Sequence, residues 1–296
     1  MKKFPFGEII KDAWKTIIHN TKLWWFGIFV GTGISVTIPD FSGYGGGGVG
    51  GGVDMGSFTK TLQDIMDNWV IVLVGIAFVA LFLVVFFFII LICQSAILHG
   101  FVKVKNGEAY KFWNLVGLGI KKVGRLFWMA IIYVAPNLVL LGIALLAFPW
   151  SNFSLGGIRW WLIIPIVCIL VLYNLFVALF RHYSYCFAVI ENQSGWQAIK
   201  SGFCLMKKNF GNVFVVGLIY IGLSMAATIG MVITLLILCL PFVLLFVLAI
   251  FMAKWLIIVV ISLGVIVLLT IALALRGAIG AYFQSYFTNA YWELKK

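Results

Sequence analysis

WVIVLVGIAFVALFLVVFFFIILICQSAIL, residues 69–98, runs 30 positions without a charged side chain. As an α-helix it extends about 45 Å at 1.5 Å per residue, more than the roughly 30 Å of a bilayer's hydrocarbon core. It reads as a transmembrane helix that tilts or projects past the bilayer. Immediately before it, Phe58, Leu62, Ile65, Met66 and Trp69 recur at helical spacing, so a surface helix is expected to lead into it.

The rest of the chain extends this reading. Of 296 residues, 64% are hydrophobic and 10% charged, against about a quarter charged in soluble domains, which excludes a soluble globular protein. Further spans are read at 23–38, 126–148, 160–180, 213–240 and 255–275. Pro136-Asn137 is expected to kink the third span. The stretch 242–253 is too short to cross and reads as re-entrant or interfacial; a crossing there would put the C-terminus outside. Met1-Lys2-Lys3-Phe4-Pro5-Phe6-Gly7-Glu8 opens an amphipathic helix rather than the apolar region of a secretion signal.

Charge orients the spans. Of 21 Lys and Arg, only Lys60, Arg159 and Lys254 fall on one side in this layout, and the remaining 18 fall on the other. Cytoplasmic loops are enriched in Lys and Arg, so six spans with both termini cytoplasmic, in a plasma membrane, are expected. The net charge of +12 then reflects span ends facing anionic headgroups rather than nucleic acid. Cys93, Cys168, Cys186, Cys204 and Cys239 show no C-x-x-C or zinc spacing, and free thiols are expected.

Each odd-numbered span follows an amphipathic segment. Phe6, Ile9, Ile10, Ala13, Trp14, Ile17 and Ile18 form one stripe, opposite Glu8, Lys11, Asp12, Lys15 and His19. Trp113, Val116, Ile120 and Val123 repeat the spacing beside Lys121 and Lys122, as do Trp196, Ile199, Phe203, Met206 and Phe210 beside Lys200, Lys207 and Lys208. A helix with an apolar stripe and a basic face lies in the interface plane. The expected fold class is therefore all-α: a polytopic membrane bundle of six transmembrane helices with three cytoplasmic interfacial elbow helices. Three elbow–hairpin units, 1–98 with a Gly-rich outer loop at 40–57, 108–190 and 191–296, make one integral membrane domain. Lys11, Lys15, Lys121, Lys122, Lys207 and Lys208 are the expected contacts to anionic headgroups. Asn20 and Asn209, at matching positions in the first and third copies, read as helix caps, whereas the middle copy has Leu126.

Chemistry is sparse. The run 43–52 is rich in Gly, but it lacks the strand, helix and Lys of a phosphate loop and reads as a linker. Asp64 and Asp67 stand one helical turn apart, as a solvated surface pair. His19, His99 and His182 share no motif. No catalytic, cofactor or metal site is expected. Polar residues within or beside spans are the remaining functional candidates. Arg276 snorkels to the headgroups if span six ends at Leu275; if that helix stays embedded to Tyr286, it needs a partner, and Glu191 is the candidate. Asn137 and Asn174 read with Gln94 as hydrogen-bond links between helices. Gly27 with Gly31, and Gly222 with Ala226 and Gly230, suit close helix packing inside the chain.

Ile190-Glu191-Asn192-Gln193-Ser194-Gly195-Trp196-Gln197-Ala198-Ile199-Lys200-Ser201, then Lys207-Lys208-Asn209-Phe210, resembles the membrane domain of glycerophosphoryl diester phosphodiesterase and its six-span relatives. The shared features are a Glu after span four, an elbow helix with Ala and Ser (Ala198 and Ser201), and a basic, Asn-containing bend. Tyr291-Trp292-Glu293-Leu294 resembles their closing segment, while Gly202-Phe203 departs from the Trp often seen in the elbow. The resemblance implies a six-span membrane fold. It implies no phosphodiesterase activity in these residues, because that chemistry belongs to a separate soluble barrel.

Two functional classes stay open. One is a non-catalytic membrane protein with an organising or accessory role at the cytoplasmic leaflet, whose partners are anionic lipids, a protein or a second copy. The other is a transporter or lipid-handling protein with a path between the hairpins. An enzyme would need acids and histidines to converge at one interface.

Overall fold

The computed structural model describes residues 4–35, 69–146, 160–252 and 254–296, and all regular structure among them is helical. The helices are α1 (Phe6–His19), α2 (Trp24–Ser35), α3 (Trp69–Lys105), α4 (Phe112–Leu146), α5 (Trp160–Ile190), α6 (Gly195–Lys208), α7 (Phe210–Met252) and α8 (Lys254–Lys295). The Gly-rich loop, Asp64, Asp67 and the surface segment before residue 69 lie outside the described residues, as do Lys60 and Arg159.

Five helices, α3, α4, α5, α7 and α8, are long and apolar enough to cross a membrane. They contain 37, 35, 31, 43 and 42 residues, where about 20 suffice for a bilayer. Of the first expected span, 23–38, α2 describes Trp24–Ser35.

Four points of the sequence reading are changed or sharpened. The segment 242–253 is not a separate re-entrant piece, because α7 continues through Pro241 to Met252. The middle amphipathic segment is not a separate helix, because α4 runs unbroken from Phe112 to Leu146.

The third concerns the asparagines. Asn20 and Asn209 do cap helices, as the C-caps of α1 and α6, with φ of −128° and −120°. Asn20 Nδ2 donates to Thr16 O at 2.8 Å, one turn back, and Asn209 Nδ2 donates to Leu294 O at 3.3 Å. Asn bonds locally to backbone and is a weak helix former, whereas Leu is a strong one. Leu126, which holds the equivalent place in α4, lets the helix run on.

The fourth concerns the small-residue stripes. Gly27 does pack internally: a Cβ there would stand 1.9 Å from Gly277 O, and one on Gly277 would stand 2.5 Å from Trp24 O. So α2 and α8 cross backbone to backbone. Gly222, Ala226 and Gly230 instead lie on the exposed side of α7, and a Cβ on either glycine meets nothing within 4 Å.

Neighbouring long helices run antiparallel. Tyr133 meets Phe180 and Asn137 meets Asn174 between α4 and α5, while Tyr286 Oη donates to Val216 O at 3.0 Å between α8 and α7. In α5 and α8, His182 meets Phe287, Phe187 meets Tyr291 and Glu191 meets Lys295, so these two helices run parallel.

Burial concentrates at one end. Leu91 to Phe101 of α3, Leu126 to Tyr133 of α4, Val177 to Val189 of α5 and Ala281 to Leu294 of α8 supply most of the core, with α1, α2 and α6 packed around them. Toward the other end the helices expose apolar side chains such as Phe78 (70%) and Leu236 (64%). Hydrocarbon suits those surfaces, whereas water penalises apolar area at about 25 cal/mol per Å². Pro5, Glu8, Trp292 and Glu293 line one cleft, which puts the first and last helices at the same end of the bundle.

Candidate functional site at the turn between α5 and α6

The turn follows from its residues. Helix α5 stops at Ile190, and Asn192 then takes φ +59°, a left-handed conformation that Asn tolerates better than most residues. Gln193 N–H returns to Phe187 O at 3.3 Å, and Ala198 N–H to Ser194 O at 2.8 Å starts α6.

Two other helices converge here. From α8, Lys295 Nζ donates to Glu191 Oε1 at 2.7 Å and the Tyr291 hydroxyl donates to the same carboxylate. From α4, Arg125 Nη1 donates to Asn192 O at 2.8 Å and Lys122 donates to Asn192 Oδ1. The Asn209 bond to Leu294 O brings the end of α6, with exposed Lys207 and Lys208, against the end of α8. Glu191 is thus the anionic centre of a mostly basic rim.

The other expected residues fall as follows. Lys11, Lys15 and Lys121 are exposed. Arg276 is exposed on α8 and does not pair with Glu191, whose partners are Lys295, Tyr291 and Gln193. Asn137 and Asn174 bind each other in both directions, at 2.9 and 3.3 Å, and Asn174 Nδ2 also reaches Leu170 O at 2.8 Å. His19 and His99 hold backbone oxygens one turn back, at 2.9 Å each, while His182 is buried and stacks on Phe287 at 4.1 Å. The described residues contain no group of three or more His, Cys, Asp or Glu placed to hold a metal ion. All five thiols are free.

The amphipathic segments divide their apolar stripes. In α1, Ile9, Ala13 and Ile17 are buried, while Trp14 is 60% and Ile18 50% exposed. In α6, Ala198, Gly202 and Met206 face the bundle, while Trp196 is 66% exposed. In α4, Leu115 is buried and Trp113 is 78% exposed. Each segment therefore holds a Trp outward near exposed Lys: Lys11 and Lys15, Lys111, or Lys200.

Several features escaped the sequence reading. Lys105 Nζ stands 3.4 Å over the Trp292 ring, beside a cleft of about 240 Å³ whose lining mixes Glu8, Asp12 and Glu293 with Lys15 and Lys105. Tyr110 Oη donates to Asn20 Oδ1 at 2.9 Å, and burial pushes its phenol up from the usual value, so it keeps that proton. Besides Gln94 of α3, already noted in the sequence, Ser95 of α3, His182 and Ser184 of α5, and Gln284, Ser285 and Thr288 of α8 are each buried. The dipeptide Gln-Ser at 94–95 and 284–285, with Tyr183-Ser184 between them in sequence, is the signal that marks this set.

No family model matches the chain, and neither a curated protein nor a solved structure is found to match it. The fold itself defines the class: a multi-pass membrane protein, helical throughout its described residues, with five long apolar helices among them.

Proposed function

We propose that this is a non-catalytic integral membrane protein of the plasma membrane that holds the anionic cytoplasmic leaflet through its basic amphipathic segments, in an organising or accessory role. One observation carries this: Trp14, Trp113 and Trp196 are all more than half exposed, close in sequence to exposed lysines. Tryptophan favours the membrane–water interface, and a basic apolar-striped helix lies in its plane. In this reading α2 completes a sixth span, three elbow–hairpin units form the body, and the end shared by both termini faces the cytoplasm. The likeness of 190–210 to the phosphodiesterase membrane domain supports that arrangement, with the middle elbow fused to its span.

Each Lys near an anionic surface contributes about 1 kcal/mol. Replacing Lys121, Lys122, Lys207 and Lys208 together by Gln should weaken retention of anionic phospholipid in native mass spectrometry by at least tenfold. Unchanged retention refutes the reading.

Buried polar residues on α3, α5 and α8, Gln94, Ser95, Ser184 and Gln284 among them, favour a second reading, a transporter or lipid-handling protein with a path between the hairpins. In a cysteine-free background, Ser95→Cys should then react with a membrane-impermeant thiol reagent from one side. Protection from both sides removes the path.

A further inference from the structure

Helices α5 and α6 enclose a groove of about 260 Å³ lined by Phe180, Trp196, Ile199, Lys200 and Phe203. Its floor is aromatic: Phe203 lies 6.0 Å from Phe180 and 6.1 Å from Phe176, ring centre to ring centre. Phe176, Phe203 and Trp196 are 43%, 41% and 66% exposed, so the groove is open on its outer side. On α5 the same face continues through Leu172 and Ile169, 65% and 54% exposed, one and two turns beyond Phe176. At the other end Lys200 is the only charged residue of the lining. It is exposed, and no carboxylate among the described residues pairs with it.

An apolar track that ends at one ammonium, with a Trp beside it, has the polarity of a phospholipid. We propose that this groove seats one anionic phospholipid, its acyl chain along Phe203, Phe180, Phe176 and Leu172 and its phosphate on Lys200. Charge decides the class: Lys207 and Lys208 follow on the same helix and α6 carries no acid, so a headgroup with a net negative charge is preferred over a zwitterionic one. Trp196 sits where indole rings sit in bilayers, at the headgroup level. This inference rests on the leaflet-facing reading of α6 and adds a defined site to it, on a lysine outside the four that test that reading.

The test is native mass spectrometry of the whole chain from mixed phosphatidylglycerol and phosphatidylcholine. One phosphatidylglycerol should outlast the other lipids. Lys200→Gln, an exposed substitution that leaves packing intact, should lower its retention about fivefold, the equivalent of about 1 kcal/mol. Ile199→Trp, which fills the groove, should remove it, and Lys11→Gln should leave it. Retention unchanged in both Lys200→Gln and Ile199→Trp overturns the site, as does equal holding of phosphatidylcholine or a polypeptide bound in the lipid's place. If the fourfold Lys→Gln variant loses anionic lipid while these two keep it, the site fails and the wider reading stands. If the fourfold variant changes nothing while these two lose the lipid, the wider reading fails and the site stands.

Discussion

Glu191 and Lys295, 104 positions apart in sequence, meet at 2.7 Å. The contact locks the turn after α5 to the last turn of α8, and Tyr291 and Gln193 share the same carboxylate. Lys122 and Arg125 hold the neighbouring Asn192 from α4. One turn therefore ties three helices at the end where the core lies.

The two bonds to Glu191 differ in weight. Lys295 is 51% exposed in its side chain and Glu191 23%, so the ion pair contributes at most about 1 kcal/mol. Tyr291 is 1% exposed, and leaving its hydroxyl without an acceptor costs about 1–3 kcal/mol. Glu191→Gln should lower stability by less than about 1 kcal/mol and Glu191→Ala by about 2 kcal/mol. Thermal melting in detergent, combined with Lys295→Gln in a double-mutant cycle, separates the two contributions. Equal losses in both variants would show that the tyrosine bond is not the heavier one.

Gly27 and Gly222 look alike in sequence, each one turn from another small residue, yet they occupy opposite environments. A methyl on Gly27 meets the Gly277 carbonyl, whereas one on Gly222 meets open space. Overpacking of this kind costs about 1–3 kcal/mol. Gly27→Ala should therefore destabilise by at least about 2 kcal/mol, and Gly222→Ala should stay within about 0.5 kcal/mol or stabilise slightly through helix propensity. Comparable melting temperatures for the two variants would rule out the backbone crossing.

That pair also shows what the sequence could and could not reveal. The apolar run 69–98 and its counterparts announced the membrane helices, because length and absent charge are local properties. The spacing of Ile9, Ala13 and Ile17 announced a buried side in α1. The stripe of Trp196, Ile199, Phe203, Met206 and Phe210, by contrast, shares only Met206 with the buried side of α6, which is Gly195, Ala198, Gly202 and Met206. Which small-residue stripe is covered depends on a partner more than 200 positions away, Gly277 for Gly27, and single-helix patterns carry no trace of it. The bends were half legible: the contrast of Asn20 and Asn209 with Leu126 was visible, and its consequence, an unbroken α4, follows from helix propensity. Pairing of Arg276 with Glu191, the alternative to snorkelling, rested on topology alone, while the carboxylate points to the final turn of α8.

Asn137 and Asn174 give a measurable link between α4 and α5, bonded in both directions. Such interhelical bonds in membranes average about 0.6 kcal/mol and reach about 1.7 kcal/mol. Asn137→Leu alone should cost about 1 kcal/mol, because it strips a part-buried amide of its partner. Adding Asn174→Leu should restore most of that loss. A double variant that loses the sum of the single effects would mean that the two amides act independently.

Gln284 gives the sharpest contrast between packing and polarity. It is 1% exposed on α8, and neither its amide nitrogen nor its amide oxygen has a protein partner. A buried polar group without a hydrogen bond costs about 1–3 kcal/mol, and an apolar group of the same shape removes that cost. Gln284→Met keeps the length of the side chain and should hold the melting temperature or raise it, by the equivalent of up to about 1 kcal/mol. Gln284→Ala, which opens a cavity instead, should destabilise by about 2 kcal/mol or more. Loss of stability in the Met variant would assign the amide a hydrogen bond to internal water, since buried waters satisfy such groups and are costly to remove. That outcome would place water beside Gln284 in the core and strengthen the transport reading over the organising one.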